Sequence, residues 1–382
     1  MRSPVIVDIW HNILWSSYKG EVFSSLYELA QEDKKFDLRI IQKAETDSER
    51  AALSGIDHAR HRYPYELLFR GLPAAVSPWR RIAKIVTRTL ASQASLSILI
   101  EYEKPEFWLQ YVILRLKRQK VAIFCDSTAF DRPSSALKNI VKKFLFRSVD
   151  AVLGYGQRTK EYVVSLGAKP EHVFVPCQAA ALPYDYDPEI ALQERLRLAP
   201  PSDAPRFLYV GRLAPEKNLD RLLEAFASIK MRMPQAVLII VGSGNLKEPL
   251  AEKARNLGLA PDEIFVGSKT GADLFAEYAK ATCLVLPSLS EPWGLVVNEA
   301  LAYGCPVVVS ERCGCVPELV REGATGYRHN PLNADDVAAK LLLAAQSFAN
   351  AEESAKACID LMRNYTPRNA ASVMKDGLEK LL

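Results

Sequence analysis

Residues Leu286 to Pro306 read LPSLSEPWGLVVNEALAYGCP, with seven residues between Glu291 and Glu299. The apolar run Thr282 to Leu286 predicts a strand that feeds a Ser-rich loop, and Leu295 to Tyr303 predicts a helix. A helix starting near Gly294 leaves the amides of Gly294, Leu295 and Val296 without intrahelical acceptors, which makes a ready anion site. Glu291 then lies in the loop before the helix, and Glu299 a little over one turn inside it. Two carboxylates flanking such a helix start suit a ligand with hydroxyls at both ends and negative charge between them. That is the outline of a nucleotide-sugar. The plain alternative for the same spacing is a solvated helix face.

Working outward, Arg206 to Asn218 reads RFLYVGRLAPEKN. It predicts a strand, a loop carrying Gly211, Arg212 and Lys217, and then a helix with apolar residues at Leu219, Leu222, Leu223 and Phe226. A guanidinium fork and a point-charge ammonium on one strand-to-helix loop suit a diphosphate whose charge grows as it departs. Surface cations flanking a turn are the other reading. Ala236 to Val241 predicts a strand ending at Gly242-Ser243-Gly244, but Lys247 stands where a dinucleotide fingerprint needs its third glycine, so that fingerprint fails. Glu263 to Val266 predicts a short strand before Gly267-Ser268-Lys269, and Pro306 to Ser310 another. Helices are expected at Val316 to Arg321, Ala334 to Ser347 and Arg368 to Leu382.

At these residues the chain resembles the retaining glycosyltransferases of the two-Rossmann-domain (GT-B) architecture, in particular family 4. The family's Glu-x7-Glu motif reads here as Glu291 to Glu299 and continues through Ala300, Gly304, Pro306-Val307-Val308 and Gly326. Its Gly-Arg-x-x-x-x-Lys-Asn segment reads as Gly211 to Asn218. The resemblance implies that Arg212 and Lys217 reach the donor diphosphate, that Glu299 binds ribose hydroxyls and that Glu291 binds the outer hydroxyls of the sugar. It also implies that the amides of Gly294, Leu295 and Val296 take the distal phosphate or sugar, that Gly242 lets backbone approach the donor, and that Gly267 and Ser268 hold the base.

In the first half the resemblance is loose. Pro4 to Trp10 predicts a strand, followed by a loop through Tyr18-Lys19-Gly20, a helix at Glu21 to Glu32 and a strand at Asp37 to Gln42. This βαβ opening has no Gly-x-Gly-x-x-Gly, which argues against a dinucleotide here. Lys19 and Gly20 occupy the place of the family's glycine-rich loop near the transferred sugar, and a single glycine there is a departure. Glu45 to Ala75 reads as irregular and acceptor-shaping, with Tyr63, Tyr65 and the Arg60-His61-Arg62 cluster. Strands are expected at Leu96 to Tyr102 and Val121 to Cys125. Asp126 follows the second strand end, where ligands collect in open α/β sheets. It is a candidate acceptor contact, or else a cap or turn residue. Many family members carry a histidine in this neighbourhood; here the run is Asp126-Ser127-Thr128-Ala129-Phe130-Asp131-Arg132, similar to one branch of the family. A helix at Ser135 to Arg147 and a strand at Ala151 to Gly154 complete the domain. Asp185-Tyr186-Asp187 is formally the Asp-x-Asp of metal-dependent transferases, but it follows Leu182-Pro183-Tyr184 rather than a strand. We read it as turn carboxylates, with no metal implied.

Composition sets the outer limits. With 382 residues, 49% hydrophobic and 25% charged, the chain is ordinary for a soluble globular protein of two or three domains. No run approaches a bilayer span, and the N-terminus shows no small-residue cleavage pattern, so a cytoplasmic protein is expected. Seven scattered cysteines with no Cys-x2-Cys fit reduced thiols better than a metal site, although Cys313 and Cys315 flank Gly314. Residues 1–180 carry 27 Lys+Arg against 19 Asp+Glu. Two basic runs, Arg80-Arg81-Lys84-Arg88 and Lys138-Lys142-Lys143-Arg147, are interleaved with apolar residues at helical spacing. They suit either a solvated face or an anionic membrane surface at which the protein would be peripheral. No nucleic-acid module is visible.

The expectation is an α/β chain with two Rossmann-like doubly wound parallel-sheet domains facing a cleft (GT-B). Residues 1–177 would bind acceptor, 178–205 would link, 206–365 would bind nucleotide-sugar, and the helix of 366–382 would cross back to the first domain. The implied activity is retaining, metal-independent transfer from a UDP- or GDP-sugar to a hydroxyl of a sugar, lipid-linked or small-molecule acceptor. Polysaccharide or glycoconjugate assembly is the setting this suggests. Glu291, Arg212, Lys217 and Asp126 would stand at the chemistry, with Lys19 and Gly20 near the acceptor or sugar and no cofactor. A nucleotide-sugar epimerase and a non-catalytic nucleotide-sugar-binding or membrane scaffold protein are the alternatives.

Overall fold

The computed structural model of the protein describes residues 4–47, 55–130, 136–201 and 203–382. Contacts divide the chain into two units. One comprises Met1–Ser127, Pro133–Ala181 and Thr366–Leu382; the other comprises Thr128–Arg132 and Leu182–Tyr365.

The first unit alternates β1 (Val5–Ile13), α1 (Ser17–Asp33), β2 (Phe36–Ala44), β3 (Tyr65–Phe69), α2 (Pro78–Leu90), β4 (Leu96–Leu99), α3 (Pro105–Leu116), β5 (Lys120–Cys125), α4 (Ala136–Ser148), β6 (Ala151–Gly154), α5 (Gln157–Ser165) and β7 (Val173–Phe174). Its strands pair in parallel in the order β3-β2-β1-β4-β5-β6-β7. Helices cover both faces, which is why the strands read as apolar runs. Alternate side chains enter opposite cores. Ala122 and Phe124 of β5 join Val22, Phe23 and Leu26 of α1, whereas Val121, Ile123 and Cys125 join Ile85 of α2, Leu114 of α3, Leu145 of α4 and Val163 of α5.

Two expectations change in this unit. Tyr18-Lys19-Gly20 is not loop but lies at the start of α1, where the Gly20 N–H donates to Ser16 O at 2.9 Å. A Cβ on Gly20 would stand 2.9 Å from Arg60 O and His61 Cε1, so this glycine is a close-packing position. Glu45 to Ala75 is not irregular throughout, because Tyr65–Phe69 forms the edge strand β3 against β2. The basic cluster before it is tied to α1: Arg60 and Arg62 both pair with Glu21, at 3.1 and 3.2 Å.

The second unit begins with α6 (Pro188–Leu198) and continues through β8 (Arg206–Val210), α7 (Leu219–Arg232), β9 (Val237–Val241), α8 (Lys247–Asn256), α9 (Pro261–Ile264), β10 (Phe265–Gly267), α10 (Gly271–Lys280), β11 (Cys283–Leu286), α11 (Leu295–Ala302), β12 (Val307–Ser310), α12 (Val316–Leu319), β13 (Gly326–His329), α13 (Ala334–Ser347) and α14 (Ala351–Met362). Its parallel sheet has the order β10-β9-β8-β11-β12-β13. The chain ends in α15 (Pro367–Leu381), whose Ala370, Ala371, Met374 and Leu378 pack in the first unit's core.

The stretch read as a connection thus contains a helix. Asp187 caps α6 by accepting from the Glu189 and Ile190 amides at 2.8 and 3.0 Å, with Pro188 in the first helical position. Arg195 is buried and donates to the Ala279 and Ala281 carbonyls at the end of α10, an arrangement that helix C-termini favour. In each sheet the chain reverses direction of growth once, between β1 and β4 and between β8 and β11. The carboxyl ends at such switch points form the crevice where ligands bind in doubly wound sheets.

Candidate functional site

The loops after β8 and β11 flank the second unit's switch point and carry the residues singled out above. The Leu289 N–H donates to Glu216 O at 2.8 Å, and Asn218, in the left-handed conformation, donates its side-chain amide to Pro287 O at 3.1 Å and Pro331 O at 2.8 Å. This stitching brings the Lys217 ammonium onto the Glu291 carboxylate, and the Ser288 hydroxyl donates to the same carboxylate oxygen at 3.4 Å. Both members of the pair are largely buried, at 13% and 15% side-chain exposure, so the contact is screened far less than a surface pair. Arg212 stands further out, paired with Glu216 at 3.0 Å.

Backbone geometry makes the rest of the floor. Gly294 has φ 101° and caps α11, whose first turn closes with the Val297 N–H on Gly294 O at 2.9 Å. The amides of Gly294, Leu295 and Val296 precede that bond and have no intrahelical acceptor. A Cβ on Gly242 would lie 1.9 Å from Gly211 O, so the ends of β8 and β9 meet backbone to backbone. The Gly211 N–H donates to Val241 O at 3.0 Å and the Gly242 N–H to Gly267 O at 2.9 Å, which sets Gly211, Gly242 and Gly267 side by side with Ser268 next in chain. Gly314, which sequence reading did not assign, donates its N–H to Glu291 O at 2.8 Å and so holds that residue's backbone in place. All seven cysteines are buried thiols, Cys313 and Cys315 among them.

Glu299, one turn into α11, is half-buried and accepts from the Tyr278 hydroxyl at 2.8 Å. Burial raises its carboxyl to about 6 against the opposing effect of that hydrogen bond. Trp293 is buried and donates its indole N–H to the Asn298 side chain at 2.8 Å, which is a packing role.

In the first unit Lys19 lies in the first turn of α1 and Asp126 directly after β5. The Lys19 ammonium is buried, donates to Cys177 O at 3.3 Å and lies 4.6 Å from the centroid of the Tyr155 ring and 5.5 Å from that of Phe124. Burial lowers it to about 8, and Asp126 acts in the opposite direction. Asp131, Arg132 and Ser135, which sequence reading also named, lie outside the described residues. Behind Lys19 runs a buried chain that sequence reading missed. His11 bonds Gln42 at 3.0 Å, Gln42 bonds Tyr63 at 3.1 Å, and Tyr63 bonds His61 at 2.7 Å. Burial drops the two imidazoles to about 3 and about 4, so both are neutral at pH 7. A cavity of about 260 Å³ opens at the ends of β1 to β4, lined by Asn12, Lys43, Arg81, Glu101 and Glu106 among others. Lys43 pairs with Glu101 at 3.1 Å, and Glu101 sits at φ 64°, a conformation that costs a non-glycine residue free energy.

Residues 193–364 match the family described as Glycosyl transferases group 1. By sequence the chain is similar to an uncharacterized glycosyltransferase of Methanocaldococcus jannaschii, with 31% identity over 191 residues that cover 49% of this chain and 48% of that protein. It is also similar to sulfoquinovosyl transferase SQD2 of Arabidopsis thaliana, with 29% identity over 239 residues covering 61% and 45%. The chain spans about half the length of the curated relatives it matches. By structure it is similar to Anabaena Alr3699/HepE solved with UDP and glucose, at a TM-score of 0.70 and 17% identity over 98% of this chain and 100% of that one. Likeness at that identity concerns the fold, and the chain has the GT-B fold of two Rossmann-like parallel-sheet domains.

Proposed function

We propose that the protein is a retaining glycosyltransferase of family 4, moving a sugar from a UDP- or GDP-sugar to an acceptor hydroxyl without a metal, in polysaccharide or glycoconjugate assembly. The observation that carries this reading is the Lys217–Glu291 pair at the second unit's switch point, beside the free helix start of Gly294 to Val296 and the half-buried Glu299. The group 1 match over the same segment supports it, as does the UDP-bound neighbour.

In this reading Glu299 accepts hydrogen bonds from the ribose, Gly267 and Ser268 hold the base through backbone groups, and Gly211 and Gly242 let backbone approach the donor. Lys217, set against Glu291, brings its ammonium to the diphosphate, and Glu291 accepts from the outer hydroxyls of the sugar. Arg212 adds a guanidinium fork from the rim, and the amides of Gly294, Leu295 and Val296 take the distal phosphate or sugar. As the glycosidic C–O bond breaks, its electron pair leaves with the diphosphate and positive charge builds on the sugar ring. The cations and helix start stabilise the first charge in a site already organised for it. The acceptor oxygen bonds to the anomeric carbon on the face the diphosphate leaves and gives its proton to the departing phosphate oxygen. Lys19, Gly20 and Asp126 serve the sugar or acceptor in the first unit.

The test is incubation with UDP- and GDP-sugars in EDTA, with and without candidate hydroxyl acceptors, followed by proton NMR of the anomeric signals. Transfer only with acceptor and with retained configuration is expected. An inverted product, or conversion of the donor sugar without acceptor as an epimerase would give, overturns the reading.

A further inference from the structure

No residue of the proposed transfer chemistry lines the cavity of about 260 Å³ at the carboxyl ends of β1 to β4. The cavity lies wholly within the first unit, at that sheet's own switch point between β1 and β4, where doubly wound sheets take their ligands. Asn12 reaches it from the end of β1, Lys43 from β2, Phe69 from β3 and Arg81 from α2, while Glu101 follows β4 and Glu106 stands in the first turn of α3. Glu101 holds the left-handed conformation, at φ 64°. A non-glycine residue keeps such a conformation where its surroundings fix it, commonly at ligand clamps, and here its carboxylate is tied to the buried Lys43 ammonium at 3.1 Å.

The charge around the cavity balances. Lys43, Arg81 and Lys104 stand against Asp47, Glu101 and Glu106. A free anion would meet Glu101 and Glu106, and a cation would meet Lys43 and Arg81, so the lining suits a neutral ligand. The ion pairs nevertheless keep unused hydrogen-bonding capacity. Lys43 gives Glu101 one of its three N–H groups. Glu106 is buried, accepts from Arg81 at 3.2 Å with one oxygen and has no donor on the other. The Asn12 side-chain oxygen accepts from the Ile13 N–H at 2.9 Å, and its amide group donates to nothing among the described residues. Acceptors short of donors beside donors short of acceptors call for a group that does both, which is a hydroxyl.

We propose that this cavity holds one uncharged pyranose ring of the acceptor. Its hydroxyls bridge the carboxylates of Glu101 and Glu106 to the cations of Lys43 and Arg81 and to the Asn12 amide, as charge-assisted hydrogen bonds that are stronger than neutral ones. The ring's C–H groups meet the apolar wall of Phe69 and Pro73. At about 260 Å³ the space is smaller than the roughly 300–1,000 Å³ of sites for drug-sized ligands, so it takes a single ring. That the ring belongs to the acceptor rests on the glycosyl-transfer reading; that it binds rests on the first unit alone.

Saturation-transfer NMR of the full chain tests it, with the methyl α-pyranosides of glucose, galactose and mannose as probes and inorganic phosphate and ethanolamine as charged competitors. At least one pyranoside should bind, and neither competitor should displace it at equal concentration. Glu101→Gln and Glu106→Gln keep the shape of the side chain and remove its charge, and each should weaken that binding about fivefold. Asn12→Ala, at a half-buried position, should weaken it as well and serves if either glutamine variant loses the wild-type circular dichroism. Glu291→Ala removes the proposed sugar contact of the second unit and should bind the pyranoside as the wild type does. Binding of no pyranoside, displacement by either competitor, wild-type binding by Asn12→Ala and the folded glutamine variants, or loss of binding in Glu291→Ala overturns the proposal. The readout needs no turnover. A chain that binds the pyranoside and transfers to no acceptor therefore strikes the transfer reading, whereas transfer without pyranoside binding strikes this site alone.

Discussion

Replacing Lys19 by Met should make the protein more stable and less active. The ammonium is buried, with one carbonyl acceptor, ring faces and the Asp126 charge as compensation. That compensation is incomplete, because burial still lowers it from 10.5 to about 8. At roughly 1.4 kcal/mol per pH unit the shift corresponds to about 3 kcal/mol by which folding disfavours the charged form. Below pH 8 folded and unfolded chains both hold the proton and the penalty is present in full. Between pH 8 and 10.5 the unfolded chain holds a proton that the folded chain has released, so the penalty fades as pH rises. Met keeps the length of the side chain and gives up the bond to Cys177 O, worth about 1 kcal/mol. The net expectation at pH 7 is stabilisation by ~1–2 kcal/mol, read as the difference between urea unfolding curves of variant and wild type. That difference should shrink as pH rises toward 10, and turnover should fall by about a hundredfold if the ammonium serves the reacting sugar. A variant less stable than wild type, or a difference that does not change with pH, would refute the argument about the buried charge. Unchanged turnover would refute the role in the site.

Lys217→Ala should lower kcat by about 10² to 10³, the scale of losing one charge-stabilising group, with circular dichroism unchanged; wild-type-like rates would exclude it from the chemistry. In the proposed role Glu299 accepts ribose hydroxyls as a carboxylate, and its folded value of about 6 then predicts that donor affinity, followed by calorimetry, is flat above pH 6 and falls by about tenfold per unit below it. In Glu299→Gln that dependence should vanish. Gly314→Ala would put a Cβ 1.8 Å from Pro292 O, and should cost ~2 kcal/mol or more in urea unfolding and weaken donor binding. Gly55→Ala, with nothing within 4 Å, is the control and should behave as wild type.

The second unit was legible because its chemistry is local in sequence. Strand β8 and its loop, and β11 with α11, each present their polar residues within one strand-to-helix turn, so periodicity and spacing place Lys217 and Glu291 before any tertiary information. That the two side chains meet follows from adjacency of β8 and β11, which a doubly wound order supplies. Gly314 escaped notice because its role is to let backbone pass close to Pro292, and nothing in the Cys-Gly-Cys around it announces that neighbour. The first unit was less legible. Lys19 and Gly20 read as loop, yet the helix runs back to Ser17, with Gly20 packed against Arg60 and His61. Helix α6 was hidden by the Ala- and Pro-rich composition around it, although Asp187 followed by Pro188 is a helix-start signal. The Lys43–Glu101 pair joins residues far apart in sequence, and no local pattern connects them.

The central claim is that the second unit holds a nucleoside diphosphate without a metal through Lys217 and its neighbours. Isothermal titration of the wild type and Lys217→Ala with UDP and with GDP, in buffer containing EDTA, tests it most directly. The account predicts that one of the two nucleotides binds the wild type, that EDTA leaves the affinity unchanged, and that the variant binds about tenfold more weakly or worse. Binding of neither nucleotide, binding that EDTA abolishes, or equal binding by the variant would contradict it.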